Sequence, residues 1–578
     1  MKKTAAWLAR FALEQIGVKY TFGIPGVHNT ELYDELNNSD LIKPNLVMHE
    51  GHGGFMADAI SRVTDSIGTL VIVPAAGVTH AASGIAEAYL DGIPMLVITG
   101  GIRNDSNFDY QLHEMDQLKL VAGFTKAAFK INNHDDVIET IYKAYGIATS
   151  GEPGPVFLEI PVNLQLDKAN INNLPTYQAP KKLPLSTQAK QLIHNAAKML
   201  MSADNPAIFA GWGAVHASDE LIAISEQIGS AVSTTMQGIS AFPANHPLHA
   251  GFCFGPAAAP APQNAFNKAD CVLAIGTRFG EIATGSFGTI LPENLIHIDI
   301  NPKVFNANFK TAIAIEGDSK LICQQLLNEL TALGAAKDAV SVSSQIAKDK
   351  KAYREAWYQH DSKSRVNPVL YFDELRAQLE DDANIVVDDG NHTFLTAELM
   401  PIHKPYGFIS PTDFNCMGYA TPAAIAVKMA NPDQEVHAIV GDGAFMMTAT
   451  ELATSVSQNL GLVIGVFNDG ELSQISQAQQ IPYNRKTCTV LPQTKLKGLA
   501  MATGAEYVRI ENNDQIKSGL TQARSLAQDN KTVILDINID YSKATAFTEG
   551  AVKTNLKRMP LPTKVRMVGR ALARKVTG

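Results

Sequence analysis

Cysteine is scarce in this chain: five in 578 residues, at positions 253, 271, 323, 416 and 488. The number is odd and no Cys-x-x-Cys pair occurs, which argues against a disulfide framework or a zinc cluster and fits a reducing, cytoplasmic setting. Long apolar runs are also missing. No segment has eighteen uncharged apolar residues, and the opening Met1-Lys2-Lys3-Thr4 leads into an amphipathic helix broken by Arg10 and Glu14. Neither export nor membrane insertion is expected. A basic surplus is absent, with 48 Lys and Arg against 57 Asp and Glu and a net charge of −9. That excludes any general attraction to nucleic acid or anionic membranes. No repeat and no segment of disordered composition is visible. What is present is a 46% hydrophobic chain long enough for three domains, with small-molecule chemistry as the natural expectation.

Short β-branched runs alternate with helical stretches almost throughout, the α/β pattern of doubly wound parallel sheets. A first block, 1–172, has strand-like runs at 69–73, 94–99 and 156–160. The stretch 174–187 carries Pro175, Pro180 and Pro184 and reads as an extended linker. A second block, 188–335, has runs at 207–210, 271–275 and 295–300 and a helix near 320–333. Residues 335–351 show little apolar periodicity and are read as a boundary. The third block, 366–542, has runs at 385–387, 436–440, 462–467 and 533–539. The tail, 543–578, has nine Lys or Arg against one Glu, and reads either as an arm over an anionic site or as a solvated helix with cations near its C-terminal end.

Gly441-Asp442-Gly443 closes the run 436–440, and Asn468-Asp469-Gly470 closes the run 462–467. With a helix at 448–458 between them, the two acids meet where two parallel strands end, the place where open α/β sheets bind ligands. Two oxygen-bearing side chains there suit Mg²⁺, which shares its oxygen ligands with a phosphate. Glycine lets the backbone approach the anion. Alone, Gly-Asp-Gly is equally a tight turn with a helix-capping Asp, and the second polar cluster is what points to a metal.

Glu50 follows the apolar pair Leu46-Val47 and opens Gly51-His52-Gly53-Gly54, so it stands where a strand gives way to a helix. Such a carboxylate serves acid/base chemistry or simply complements the helix dipole. Phe22-Gly23-Ile24-Pro25-Gly26-Val27-His28 precedes it, and Tyr89-Leu90-Asp91-Gly92-Ile93-Pro94-Met95 follows it. With these strings the chain resembles the thiamine-diphosphate-dependent enzymes of the acetolactate synthase, pyruvate decarboxylase and benzaldehyde lyase superfamily, over about residues 1–545.

The resemblance implies an aminopyrimidine-binding first domain, a central domain and a diphosphate-binding third domain. It makes Glu50 the acid that hydrogen-bonds the aminopyrimidine ring, and Asp442 and Asp469 the Mg²⁺ side-chain ligands, with the backbone carbonyl of Glu471 as a third. Met417 falls where a bulky residue holds the cofactor bent, and Asn415 where a carbonyl receives its amine. Gly390, Asn391 and His392, with Gly441, Gly443 and Ala444, match the diphosphate cradle. The implied working unit is a homodimer or homotetramer with active sites at the dimer interface.

The departures concern the metal motif and the substrate. Asp469 replaces the usual Asn, adding a negative charge that Mg²⁺ accepts readily. Val27 and Ile475 stand where pyruvate decarboxylases have acids, which argues against simple aldehyde release. His113 replaces a synthase Gln, and Ala478 replaces a Trp in the acceptor pocket, which opens room for a donor or acceptor larger than pyruvate. His28 and His113 are the candidates for proton transfer at the substrate, since imidazole is ordinarily suited to that near neutral pH. Gln474 and Ser476 are expected to line the pocket, whereas His52 and His80 are read as structural. The middle block resembles a flavin-binding domain, but Gly280-Glu281 replaces the acidic pair after Arg278-Phe279, and FAD is not expected.

The expected activity is therefore decarboxylation of a 2-oxo acid and transfer of the acyl carbanion to a carbonyl acceptor, giving a 2-hydroxy ketone. The alternative within the same chemistry is a decarboxylase of a large 2-oxo acid, suggested by Ile24 to His28 followed by Glu31-Leu32-Tyr33. A non-catalytic binding protein is the remaining reading. No nucleic acid or membrane partner is expected.

Overall fold

The computed structural model describes residues 1–181 and 184–577. Three six-stranded sheets follow one another along the chain, and every pairing within them is parallel. The first holds, in spatial order, Lys43–Leu46, Tyr20–Gly23, Gly68–Ile72, Met95–Gly101, Pro155–Pro161 and Ala127–Lys130. The third holds Phe408–Ile409, Asn384–Val387, Val436–Gly441, Leu462–Phe467, Thr532–Ile537 and Glu506–Ile510. Counted within each sheet, both have the order 2-1-3-4-6-5. The first and third blocks thus share a topology, with no repeat visible in sequence.

The middle sheet differs. Its order is His249–Phe252, Ala231–Thr234, Pro206–Ala210, Cys271–Ile275, Asn294–Asp299 and Ile313–Glu316, or 3-2-1-4-5-6, the order of dinucleotide-binding folds. Central strands such as Gly68–Ile72, Cys271–Ile275 and Leu462–Phe467 are buried along their whole length. Helices on both faces cover them, so they read as continuous apolar runs rather than alternating ones.

Two expectations change. Residues 335–351 contain most of a 19-residue helix, Val340–Tyr358, which buries only Ile346 and Trp357 and so leaves little periodicity to read. The helix expected over 448–458 begins earlier: Asp442–Thr448 is helical, a 3-10 turn spans Ala449–Glu451, and Leu452–Ser457 follows. The linker has no helix or strand at 171–181 or 184–186, and residues 182 and 183 lie outside the described part.

The first and third blocks are pinned together within one chain. Arg62 donates to Asp58 at 2.6 Å and to Asp91 at 2.8 Å, and Tyr419 of the third block donates to Asp58 at 2.5 Å. All four side chains are buried. Burying these charges is tolerable only because each has a partner.

Candidate active site

Asp442 ends its strand and opens a helix. Its Oδ1 accepts from Gly443 N at 2.9 Å and its Oδ2 from Gly470 N at 2.9 Å, which ties together the ends of the neighbouring strands Val436–Gly441 and Leu462–Phe467. Burial and then the charge of Asp469 push Asp442 up to about 7, partly offset by those two N–H groups. Burial likewise raises Asp469, whose Oδ2 accepts from Ser473 while its Oδ1 has no partner among the described residues. Two largely buried carboxylates repel each other, with only the more distant charge of Arg365 opposing Asp469, and form a site that a cation would relieve.

Around them is a cavity of about 120 Å³ lined by Gly390, Asn391 and His392, by Gly441 to Ala444, by Met417, and by Asp469, Glu471, Gln474 and Ile475. The helices Asn391–Leu399 and Asp442–Thr448 both begin at this wall, so their positive dipole ends face it. Gly390 has φ 149, open to glycine alone, and a Cβ there would strike the His392 ring at 2.6 Å. Burial lowers His392 to about 3, so the ring is neutral, and its Nε2 lacks a partner. The cavity thus combines acids for a cation with neutral donors for an anion.

Glu471 turns its side chain away, with Lys486 at 2.5 Å and Ser476 donating at 2.7 Å. Burial would raise this carboxyl, but those bonds outweigh it and hold it below the usual range. Asn415 does not line the cavity; it sits in the left-handed region at φ 62 and donates to Asp389 at 2.8 Å. Ser476 is buried but does not line the cavity, and Ala478 is exposed and away from it.

Sequence reasoning missed five lining residues: Asp389, Phe467, Leu472, Ser473 and Tyr541. Asp389 directly precedes Gly390 and could have been noticed as the acid of a strand end. Tyr541 carried no local signal: it is buried, its hydroxyl has no partner, and burial and then Asp469 and Asp442 raise it well above the ordinary phenol value.

The first block carries the second group. Glu50 opens the helix Glu50–Val63, whose N-cap His49 accepts from Gly51 N at 3.0 Å. Glu50 Oε2 lies 3.0 Å from His80 Nδ1, so His80, read from sequence as structural, touches the principal acid. His52 keeps the structural place expected of it, 2.7 Å from buried Glu451. His28 and His113, 85 positions apart in sequence, stand with ring centroids 5.1 Å apart. Each has a buried Nδ1 without a partner among the described residues. Burial and then His113 lower the His28 pKa. Val27 beside them is 68% exposed. Neither Glu50 nor His28 nor His113 lines the Asp442 cavity of the same chain.

A second cavity, about 370 Å³, lies at the carboxyl ends of the middle sheet, against Gly213, Thr277, Arg278 and Asp299. Arg278 closes it on the other blocks by donating to Leu90 O at 2.5 Å and to Asp413.

The basic tail forms two helices, Ala546–Arg558 and Leu561–Thr577. Arg570 donates to Pro482 O at 3.0 Å and Arg574 to Tyr483 O at 3.1 Å, capping the helix Ser473–Tyr483 that carries Gln474, Ile475 and Ala478.

Three parallel sheets, with an acid pair and two helix N-termini at one site and a buried glutamate at another, define an enzyme of the thiamine-cofactor class. The chain belongs to the thiamine pyrophosphate enzyme family. It matches that family's N-terminal TPP binding domain over residues 2–120, its central domain over 193–326 and its C-terminal TPP binding domain over 388–537. It is 32% identical to the probable acetolactate synthase large subunit of Methanocaldococcus jannaschii, over 92% of this chain and 91% of that one. The acetolactate synthase large subunit of Corynebacterium glutamicum is 29% identical over 91% and 85%, and isozyme 3 of Escherichia coli 28% over 94% and 96%. Among the described residues, no helix is long and apolar enough to cross a membrane.

Proposed function

We propose that this chain is an acetolactate synthase-like carboligase, which decarboxylates a 2-oxo acid and joins the acyl fragment to a carbonyl acceptor to give a 2-hydroxy ketone. The observation that carries the reading is the Asp442–Asp469 pair, with an unpartnered oxygen, in one cavity with two helix N-termini. That donor set fits Mg²⁺ together with a diphosphate.

Asp442 and Asp469, with the Glu471 carbonyl, would hold Mg²⁺, and Gly390 to His392 with Gly441, Gly443 and Ala444 would hold the diphosphate. Met417, on the cavity wall, would support the cofactor, and Asn415, two residues before it, is the position whose carbonyl would receive the cofactor's amine. When bound, thiamine diphosphate supplies the electron sink that makes an acyl carbanion accessible. Glu50 holds and moves the proton that the cofactor's ring requires, from a buried position where proton sharing is strong. His28 and His113 would exchange protons with the substrate, and Val27, Gln474 and Ile475 would shape its pocket. Because Glu50, His28 and His113 do not line the Asp442 cavity of their own chain, the complete site takes one block from each of two copies. A homodimer is the smallest active unit, and cytoplasmic location follows from the chemistry and the free thiols.

Glu50→Gln tests this reading. Carboligation is expected to fall by about 10²-fold or more with cofactor and Mg²⁺ in excess, and an unchanged rate would sink the assignment. A screen of 2-oxo acids for carbon dioxide release, with and without aldehyde or ketone acceptors, separates carboligation from plain decarboxylation of a large oxo acid. Flavin is not part of the proposal, and a visible absorbance spectrum of the purified protein reads it directly.

A further inference from the structure

We infer that His80 is a positioning and proton-exchange partner of Glu50: it holds the carboxyl through Oε2 and passes a proton to and from it, leaving Oε1 free. This inference rests on the thiamine-enzyme reading of the site.

The contact is built into the helix packing. Helices Glu50–Val63 and Ala76–Asp91 cross at Gly54 and Gly84, so closely that a Cβ on Gly54 would come within 2.7 Å of Gly84 Cα and one on Gly84 within 2.5 Å of Gly54 Cα. Glu50 and His80 each stand about one turn before the crossing glycine on their own helix. The crossing therefore carries the two side chains to 3.0 Å. Gly51 keeps the space between them clear, since a Cβ there would lie 3.1 Å from His80 O. The Glu50 side chain is 8% exposed and that of His80 54%. The imidazole thus links an enclosed acid to the open face of the chain.

His49 also faces the pair, its ring stacked on that of His80 with centroids 4.8 Å apart, while the remaining titratable groups are committed elsewhere. His49 accepts from Gly51 N, and burial followed by the neighbouring His52 and His80 rings lowers its pKa, so it stays neutral. His52 is held by Glu451, which also accepts from Met48 N at 3.0 Å and from Thr454 at 2.6 Å. Tyr33 donates to Val71 O at 2.7 Å, and burial followed by Glu50 raises it far beyond the neutral range. His80 makes its one side-chain hydrogen bond among the described residues to Glu50.

The transfer moves a single proton. Imidazolium Nδ1–H and carboxylate become neutral imidazole and carboxylic acid, and no other bond changes. Imidazole is the side chain ordinarily suited to this near neutral pH, and a positioned proton donor contributes about 10²–10⁴-fold to rate.

The test compares full-length wild type with His80→Gln, and with His80→Asn should the first variant fail to fold by circular dichroism. Calorimetric titration with thiamine diphosphate and Mg²⁺, in two buffers of different ionisation heat, counts the protons exchanged on binding. His80→Gln is expected to bind the cofactor but exchange a different number of protons. Its turnover should fall by about tenfold or more with one limb of the pH profile flattened. Free imidazole should restore part of the rate of His80→Ala. A proton count and pH profile matching wild type, with no response of His80→Ala to imidazole, would overturn the role of His80. If those results accompany cofactor binding by wild type and an inactive Glu50→Gln, the cofactor reading stands and only His80 is wrong. A wild-type chain that takes up no thiamine diphosphate overturns both.

Discussion

Asp469 is the residue whose chemistry departs most usefully from expectation. Its carboxylate brings a second negative charge to face Asp442, and burial raises both. A divalent cation gains from the extra charge, because charge count is a main control of affinity at oxygen sites. Asp469→Asn is therefore expected to raise the apparent Kd for Mg²⁺ by about tenfold while leaving the fold intact; calorimetry at fixed thiamine diphosphate measures it. Asp442→Ala removes the strand-end clasp to Gly470 as well as the charge, and should abolish cofactor-dependent turnover. At this scale the acids were legible because glycines and β-branched runs frame them. Tyr541 and His80 were not, since each acquires its meaning only from a residue far away in sequence.

Helix crossings and helix ends decide how those residues meet. Gly84→Ala places a methyl against the Gly54 backbone, where neither helix can yield locally. A loss of about 1–3 kcal/mol in denaturant unfolding is expected, together with reduced turnover, because the same crossing aligns Glu50 with His80. Glu398 is a second device at this scale. It accepts from Tyr353, from Ala546 N at 3.2 Å and from Phe547 N at 2.8 Å, joining the helix Val340–Tyr358 to the start of Ala546–Arg558. Burial raises it to about 7 from an ordinary 4.5, so between those values the folded chain keeps a proton that the unfolded chain releases. Its contribution is thus complete at low pH and is lost as pH rises through that window, by up to about 3 kcal/mol. Glu398→Gln should flatten the dependence of unfolding free energy on pH from about 5 to 7. The tail's role follows the same logic. Replacing Arg570 and Arg574 by Ala uncaps the helix bearing Gln474 and Ile475. It should raise KM for the oxo acid severalfold with less than about 1 kcal/mol lost in stability.

Across the whole molecule, the Asp58–Arg62–Asp91–Tyr419 network locks the first block onto the third. Arg62→Ala leaves two buried acids facing each other and should cost about 3–5 kcal/mol, read as a lower denaturant midpoint. Most strand cores were legible from sequence because parallel strands buried on both faces are plain apolar runs; Cys271–Ile275 and Leu462–Phe467 fall where those runs predict. The strand orders were not legible, since a run of apolar residues does not say which neighbour it will pair with. By itself the sequence determined the class of chemistry: local strings around Glu50, Asp442 and Asp469 carry their own turns and caps, and so their own meaning. Only the tertiary structure decided which of these groups touch. Three sheets with two different strand orders, and a helix crossing at Gly54 and Gly84, place Glu50 against His80 and apart from the Asp442 cavity. Those contacts arise from packing between segments distant in the chain, and no local pattern encodes them.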